Sequence, residues 1–67
     1  MYSTYIYTYL NRYGYEQVER FRSLKEALVV VARHHEQNQN IPLSLRGGRE
    51  VYQQQELLLL CHKYKLL

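Results

Sequence analysis

Residues Phe21–Glu36 read Phe-Arg-Ser-Leu-Lys-Glu-Ala-Leu-Val-Val-Val-Ala-Arg-His-His-Glu. This stretch alone carries a start signal, a periodic apolar face and an ending. Ser23 followed three residues later by Glu26 forms a capping box, in which the serine hydroxyl accepts from the backbone N–H of Glu26 and the glutamate reaches back to the N–H of Ser23. Leu24, Ala27, Leu28, Val31 and Ala32 fall at i, i+3, i+4, i+7 and i+8, while Lys25, Glu26, Arg33 and Glu36 lie away from that stripe. The spacing predicts a helix with one buried face, and the remainder of the chain has to cover it.

Upstream, Tyr2 to Leu10 is built almost wholly of β-formers, with Tyr5, Tyr7 and Tyr9 on one face and Thr4, Ile6, Thr8 and Leu10 on the other. Asn11 to Gly14 supplies turn chemistry, and Tyr15 to Phe21 is the returning strand of a hairpin. Downstream, Gln37-Asn38-Gln39-Asn40 is a polar link in which either asparagine can take the left-handed conformation that ends a helix. Ile41 to Arg46 alternates Ile41, Leu43 and Leu45 with Pro42 and Ser44, which predicts a strand with those three residues on its core face and Pro42 at its start or on an edge. Gly47-Gly48 is a two-residue hairpin signal, with both glycines free to take a positive φ. Arg49 to Tyr52 is the return strand, and Gln53 to Leu67 reads as a second helix in which Leu57, Leu60, Cys61 and Tyr64 share a face. No Ser, Thr, Asp or Asn caps its start.

The order is therefore strand, strand, helix, repeated once, residues 1–37 making one unit and 41–67 the other. A lone hairpin is marginally stable, so the four strands are expected to join in one small sheet with both helices on one face. The fold class predicted is α+β, a two-layer ββαββα sandwich forming a single domain.

The segment from Tyr15 to Ala27, a tyrosine-rich strand and glycine turn leading into Glu-Arg-Phe-Arg-Ser-Leu-Lys-Glu-Ala, resembles the strand-to-helix junction of the arm-site DNA-binding domains of tyrosine recombinases. The resemblance implies DNA contact. Those domains place three strands before a single helix and have no second hairpin-helix unit, so this chain departs from the pattern in its second half.

The chain has 67 residues, and a domain of that size buries only about 60% of its unfolded surface, so covering by a partner would add to a marginal stability. Nine Lys and Arg stand against six acidic residues, all glutamate and interleaved with the basic ones, giving a formal net charge of +3. This mild basicity is diluted along the chain. A single cysteine, Cys61, and no secretory leader point to a reducing cytoplasmic setting. The longest apolar run, Leu57 to Cys61, is far too short to span a bilayer.

Three features are candidate sites. If the helices cover the Ile6 and Leu10 face, Tyr5, Tyr7 and Tyr9 form an exposed aromatic row able to bind protein or to stack on bases. If they cover the other face, the tyrosines are core with their hydroxyls reaching the rim. In the second helix, Leu59 points away from Leu57, Cys61 and Tyr64 and lies near Leu66 one heptad on, which predicts a protein partner or a homodimer there. Arg46 and Arg49 flank the Gly-Gly turn, where two guanidinium groups can contact phosphate.

His34, His35, Cys61 and His62 are the only soft metal ligands, and adjacent histidines on a helix diverge by about 100°, so no zinc pair forms on one face. His35 falls on the apolar stripe and His34 at its border, as core or boundary histidines. With no aspartate, no convergent carboxylate pair and a cysteine set among leucines, neither an enzyme, a cofactor nor a small-molecule substrate is expected. The sequence supports a non-enzymatic regulator or inhibitor that binds protein, as a homodimer or with another chain. Nucleic-acid binding by the tyrosine face with Arg46 and Arg49 is the alternative.

Overall fold

The computed structural model describes residues 4–67. It contains β1 (Tyr5–Leu10), β2 (Glu16–Phe21), α1 (Leu24–Gln37), β3 (Ile41–Gly47), β4 (Glu50–Gln53) and α2 (Gln54–Lys63). The strands form one antiparallel sheet in the order β2-β1-β3-β4. The ββαββα α+β architecture expected from the sequence is the one found. Tyr2 and Ser3, placed in the first strand by the sequence pattern, lie outside the described residues.

Local chemistry accounts for the element ends. The Ser23 hydroxyl accepts from the Glu26 N–H at 3.2 Å and starts α1. Asn38 stops it with φ near 60°, its N–H donating to the His34 carbonyl at 3.1 Å. Asn11 organises the first hairpin, its side-chain oxygen accepting from the N–H groups of Tyr13 and Tyr15. Asparagine suits both places because its short polar side chain tolerates the left-handed region and competes for backbone donors.

Both helices cover the face that carries the odd-numbered residues of β1. Tyr7, Ala27, Leu28, Val31, Leu45, Leu57 and Cys61 are fully buried there, and Tyr5, Tyr9, Phe21, Leu24, Tyr52 and Leu60 pack around them. An exposed row of Tyr5, Tyr7 and Tyr9 is therefore corrected. This is the core face, with Tyr7 at its centre, stacked on Tyr9 at 5.2 Å between ring centroids.

Four further expectations change, each for a stated reason. In β3 the register shifts between Thr8 and Tyr9: Thr8 pairs with Ser44 and Tyr9 with Pro42, leaving Leu43 as an extra residue. Such a bulge breaks the period-2 alternation. Leu45 keeps the core face, whereas Pro42 is buried in place of Leu43 and Ile41 turns outward. Gly47 belongs to β3, paired with Glu50 and Tyr5, so the turn proper is Gly48-Arg49 with Gly48 at φ 61°. A Cβ on Gly47 would collide with the Tyr5 ring, which is why glycine sits inside the strand. His34 is buried and His35 exposed, the reverse of the stripe's reading, because Ala27, Val31 and His34 form the row that meets the sheet.

The last change concerns the C-terminus. Helix α2 stops at Lys63, and Tyr64 is half exposed. Lys65 takes φ 61°, its N–H donating to the His62 carbonyl and that of Leu66 to the Cys61 carbonyl. This paired reversal is a Schellman ending, which normally brings the residue after the left-handed one back against the helix. Leu66 and Leu67 accordingly fold onto the core.

Candidate functional site

Among the described residues, none forms a layer over the side of the sheet opposite the helices. Register places three rows of side chains on this face. Arg20, Ile6, Arg46 and Val51 form the first; Val18, Thr8, Ser44 and Gln53 the second; Glu16, Leu10 and Ile41 the third. Ile6, Thr8, Ser44, Arg46 and Val51 together line a shallow hollow, which fixes them on one side. Val18 is 58% exposed, Ile41 50% and Val51 47%.

The local sequence explains why this face is aliphatic. In β1 the positions facing the helices are taken by Tyr5, Tyr7 and Tyr9, which leaves Ile6, Thr8 and Leu10 on the other side, opposite Arg20, Val18 and Glu16 of β2. The bulge at Leu43 adds Ile41. Five aliphatic side chains thus share a surface with two arginines and one glutamate. Several aliphatic side chains gathered on one sheet face of a small domain are a candidate interaction surface, here interrupted by Thr8, Ser44 and Gln53.

On the covered face the polar groups are matched to one another. The Tyr7 hydroxyl lies 3.0 Å from Nδ1 of His34, and the Tyr9 hydroxyl donates to Glu19 Oε1 at 3.3 Å. Burial pushes the Tyr7 hydroxyl far above its ordinary range. Burial also lowers the His34 imidazole, with Arg33 acting in the same direction and Glu19 against it. With the imidazole neutral and the phenol protonated, one hydrogen bond joins the two, and the histidine tautomer sets which of them donates. Burial raises the Cys61 thiol, which donates to the Leu28 carbonyl at 3.5 Å. Neither group is poised as a nucleophile. Among the described residues there is no cluster of three or more His, Cys, Asp or Glu able to hold a metal ion.

The residues singled out from sequence are dispersed. Tyr7 is buried, and Tyr5 and Tyr9 pack against the core. Leu59 is 68% exposed beside a shallow hollow it shares with Tyr52, Glu56, Leu60 and Lys63. Leu66 does not extend that patch, because the chain reverses at Lys65. Arg46 stands on the open sheet face while Arg49 is at the tip of the β3–β4 turn, so the two do not form one phosphate clamp. Ile6, Leu10, Val18, Ile41 and Val51 were not singled out, whereas Arg20 was read only as one of three arginines, with Arg12 and Arg22, near one edge. The period-2 pattern Glu16-Val18-Arg20 opposite Ile6-Thr8-Leu10 was the available signal for most of them.

No helix is long and apolar enough to cross a membrane among the described residues. Comparison of the chain with protein-family models, with characterised proteins and with solved structures finds no match.

Proposed function

We propose that this protein is a non-enzymatic binding module that works through contact with protein, and that its working surface is the open face of the sheet. The observation that carries the reading is the set of five aliphatic side chains, Ile6, Leu10, Val18, Ile41 and Val51, on a broad sheet face that no other described element covers. Thr8, Ser44 and Gln53 in the middle row and Arg20, Arg46 and Glu16 in the outer rows interleave with them, a mixture of apolar and polar groups that a non-obligate interface shares with the rest of a protein surface. The nucleic-acid alternative loses Tyr5, Tyr7 and Tyr9 as a stacking row, since they lie under the helices, and keeps Arg20 and Arg46 on the open face and the exposed Tyr13 and Tyr15 beside it in the first hairpin.

The test is photo-crosslinking in cells that express the protein, with a benzophenone amino acid replacing Val18, and Lys25 on the exposed side of α1 as control. The reading expects light-dependent adducts with protein at Val18 and none at Lys25. Equal adduct formation at both positions, or none at Val18, overturns it.

A further inference from the structure

We infer that the occupant of the open sheet face is a second copy of this chain, packed face to face about a twofold axis that runs across the strands. The inference rests on the reading of that face as the working surface and adds the identity of the partner. It follows from how charge is distributed over the three rows.

Two sheets meeting face to face keep their strands within about 30° of alignment. For two copies of one chain the twofold axis then lies between the sheets, running either along the strands or across them. An axis along the strands sets the first row of one copy against the first row of the other. Arg20 would then lie over Val51 and Arg46 over Ile6 of the second copy, which gathers the arginines of both copies in one row with no acid among them. An axis across the strands reverses each strand, so the first row meets the third.

In that arrangement Arg20 stands opposite Glu16 of the second copy, and by symmetry Glu16 opposite its Arg20, because the two residues lie at equal distances either side of Val18 on β2. Ile6 meets Leu10. Val18, Thr8, Ser44 and Gln53 each meet their own equivalents along the axis, where hydroxyl and amide groups can pair with themselves. Arg46 lies over Ile41, contributing its aliphatic stem. Self-complementarity of this kind, residue i on j and j on i, is what a twofold interface requires.

Size sets the strength. Four strands at ~4.8 Å and six residues at ~3.4 Å give a face of roughly 20 by 20 Å. At about 400 Å² a side, that is below the standard size of specific interfaces, so the dimer is a weak, transient one that fills only at high concentration.

The test is sedimentation equilibrium from about 5 to about 500 µM, a span that reaches the concentrations at which a weak dimer fills. The full chain should shift from 8.2 kDa toward twice that mass across the range. Glu16→Arg and Arg20→Glu, both at exposed positions, should each weaken association by about tenfold or more, since the twofold breaks the pair twice and brings like charges together. The double variant Glu16→Arg/Arg20→Glu should regain most of it, with circular dichroism checking that every variant stays folded. A wild-type chain that is monomeric throughout overturns the inference, and so does a dimer that the double variant does not restore. The two readings fail separately. Adducts at Val18 with a different protein, from a chain that sediments as a monomer, remove the dimer and keep the face as a docking surface.

Discussion

The hydroxyl of Tyr7, on the central strand β1, and Nδ1 of His34, one turn from the end of α1, lie 3.0 Å apart and join the two layers through a buried hydrogen bond. Their rings also pack at 5.6 Å between centroids, with Tyr9 closing on His34 at 4.5 Å. Removing one partner leaves a buried polar group unpaired, whereas removing both does not. Tyr7→Phe should therefore lower stability by about 1–2 kcal/mol, read as a fall of roughly 4–8 °C in Tm per kcal/mol for a domain of this size. Adding His34→Leu to Tyr7→Phe should cost less than the sum of the two single changes. Strict additivity in a thermal melt series would show that the pair is not coupled.

The same histidine makes stability depend on pH. Burial holds His34 below its ordinary value of 6.5, so as pH falls through that value the unfolded chain takes up a proton that the folded chain does not. Its contribution is fully present above about pH 6.5 and is lost progressively below it. Urea midpoints measured from about pH 7.5 to about pH 5.5 should fall on the acid side. His34→Gln, which keeps an acceptor and cannot titrate, should flatten that decline. An equal slope in the variant would assign the effect elsewhere.

The element order was legible because each boundary carries its own chemistry: Ser23 before the helix, Asn38 after it, and glycine at the second hairpin. The sheet face was not legible. Tyr5, Tyr7 and Tyr9 alternate with Thr8, Ile6 and Leu10, and both sets are good strand formers, so periodicity alone could not say which set the helices bury. Burial of Tyr7 became possible only because His34 supplies a partner for its hydroxyl, a contact spanning 27 positions that no local pattern reports. Ile41 was misplaced because a bulge at Leu43 changes parity; Pro42 beside it was read as a strand start or edge, although a proline inside a strand also accompanies bulges. The open face as a candidate surface followed only once the helices were known to lie on the tyrosines.

At the C-terminus the structure separates two leucines that the heptad spacing had joined. Leu59 is exposed, so Leu59→Ser should change stability by no more than about 0.5 kcal/mol. Leu66 packs on the core through the reversal at Lys65, so Leu66→Ser should lower stability measurably, by about 1 kcal/mol. Lys65 holds φ 61°, a conformation that penalises any side chain with a Cβ and that glycine takes freely. Lys65→Gly should accordingly raise the urea midpoint, by an amount corresponding to about 0.5–1 kcal/mol. If Leu59→Ser proves the more damaging of the two serine variants, the tail does not dock as described.

Nucleic-acid binding makes a contrasting prediction that charge and salt can decide. A sheet that binds single strands without sequence preference presents aromatic rings to the bases and cations to the backbone. Here the sheet's rings are under the helices, and Arg20 and Arg46 stand with Ile6 between them in a row that has no ring to stack on. Two phosphate contacts give a shallow salt slope, whereas a protein making six or more loses about a thousandfold in affinity between roughly 50 and 200 mM salt. Fluorescence anisotropy of labelled single- and double-stranded DNA and RNA should therefore show only weak association at low salt. Arg20→Ala and Arg46→Ala should each remove part of it equally for every sequence. Tight binding that collapses as salt rises would require a basic surface larger than the open face provides. It would transfer the functional assignment from protein contact to phosphate contact, with Arg12, Arg22 and Arg49 as the next residues to change.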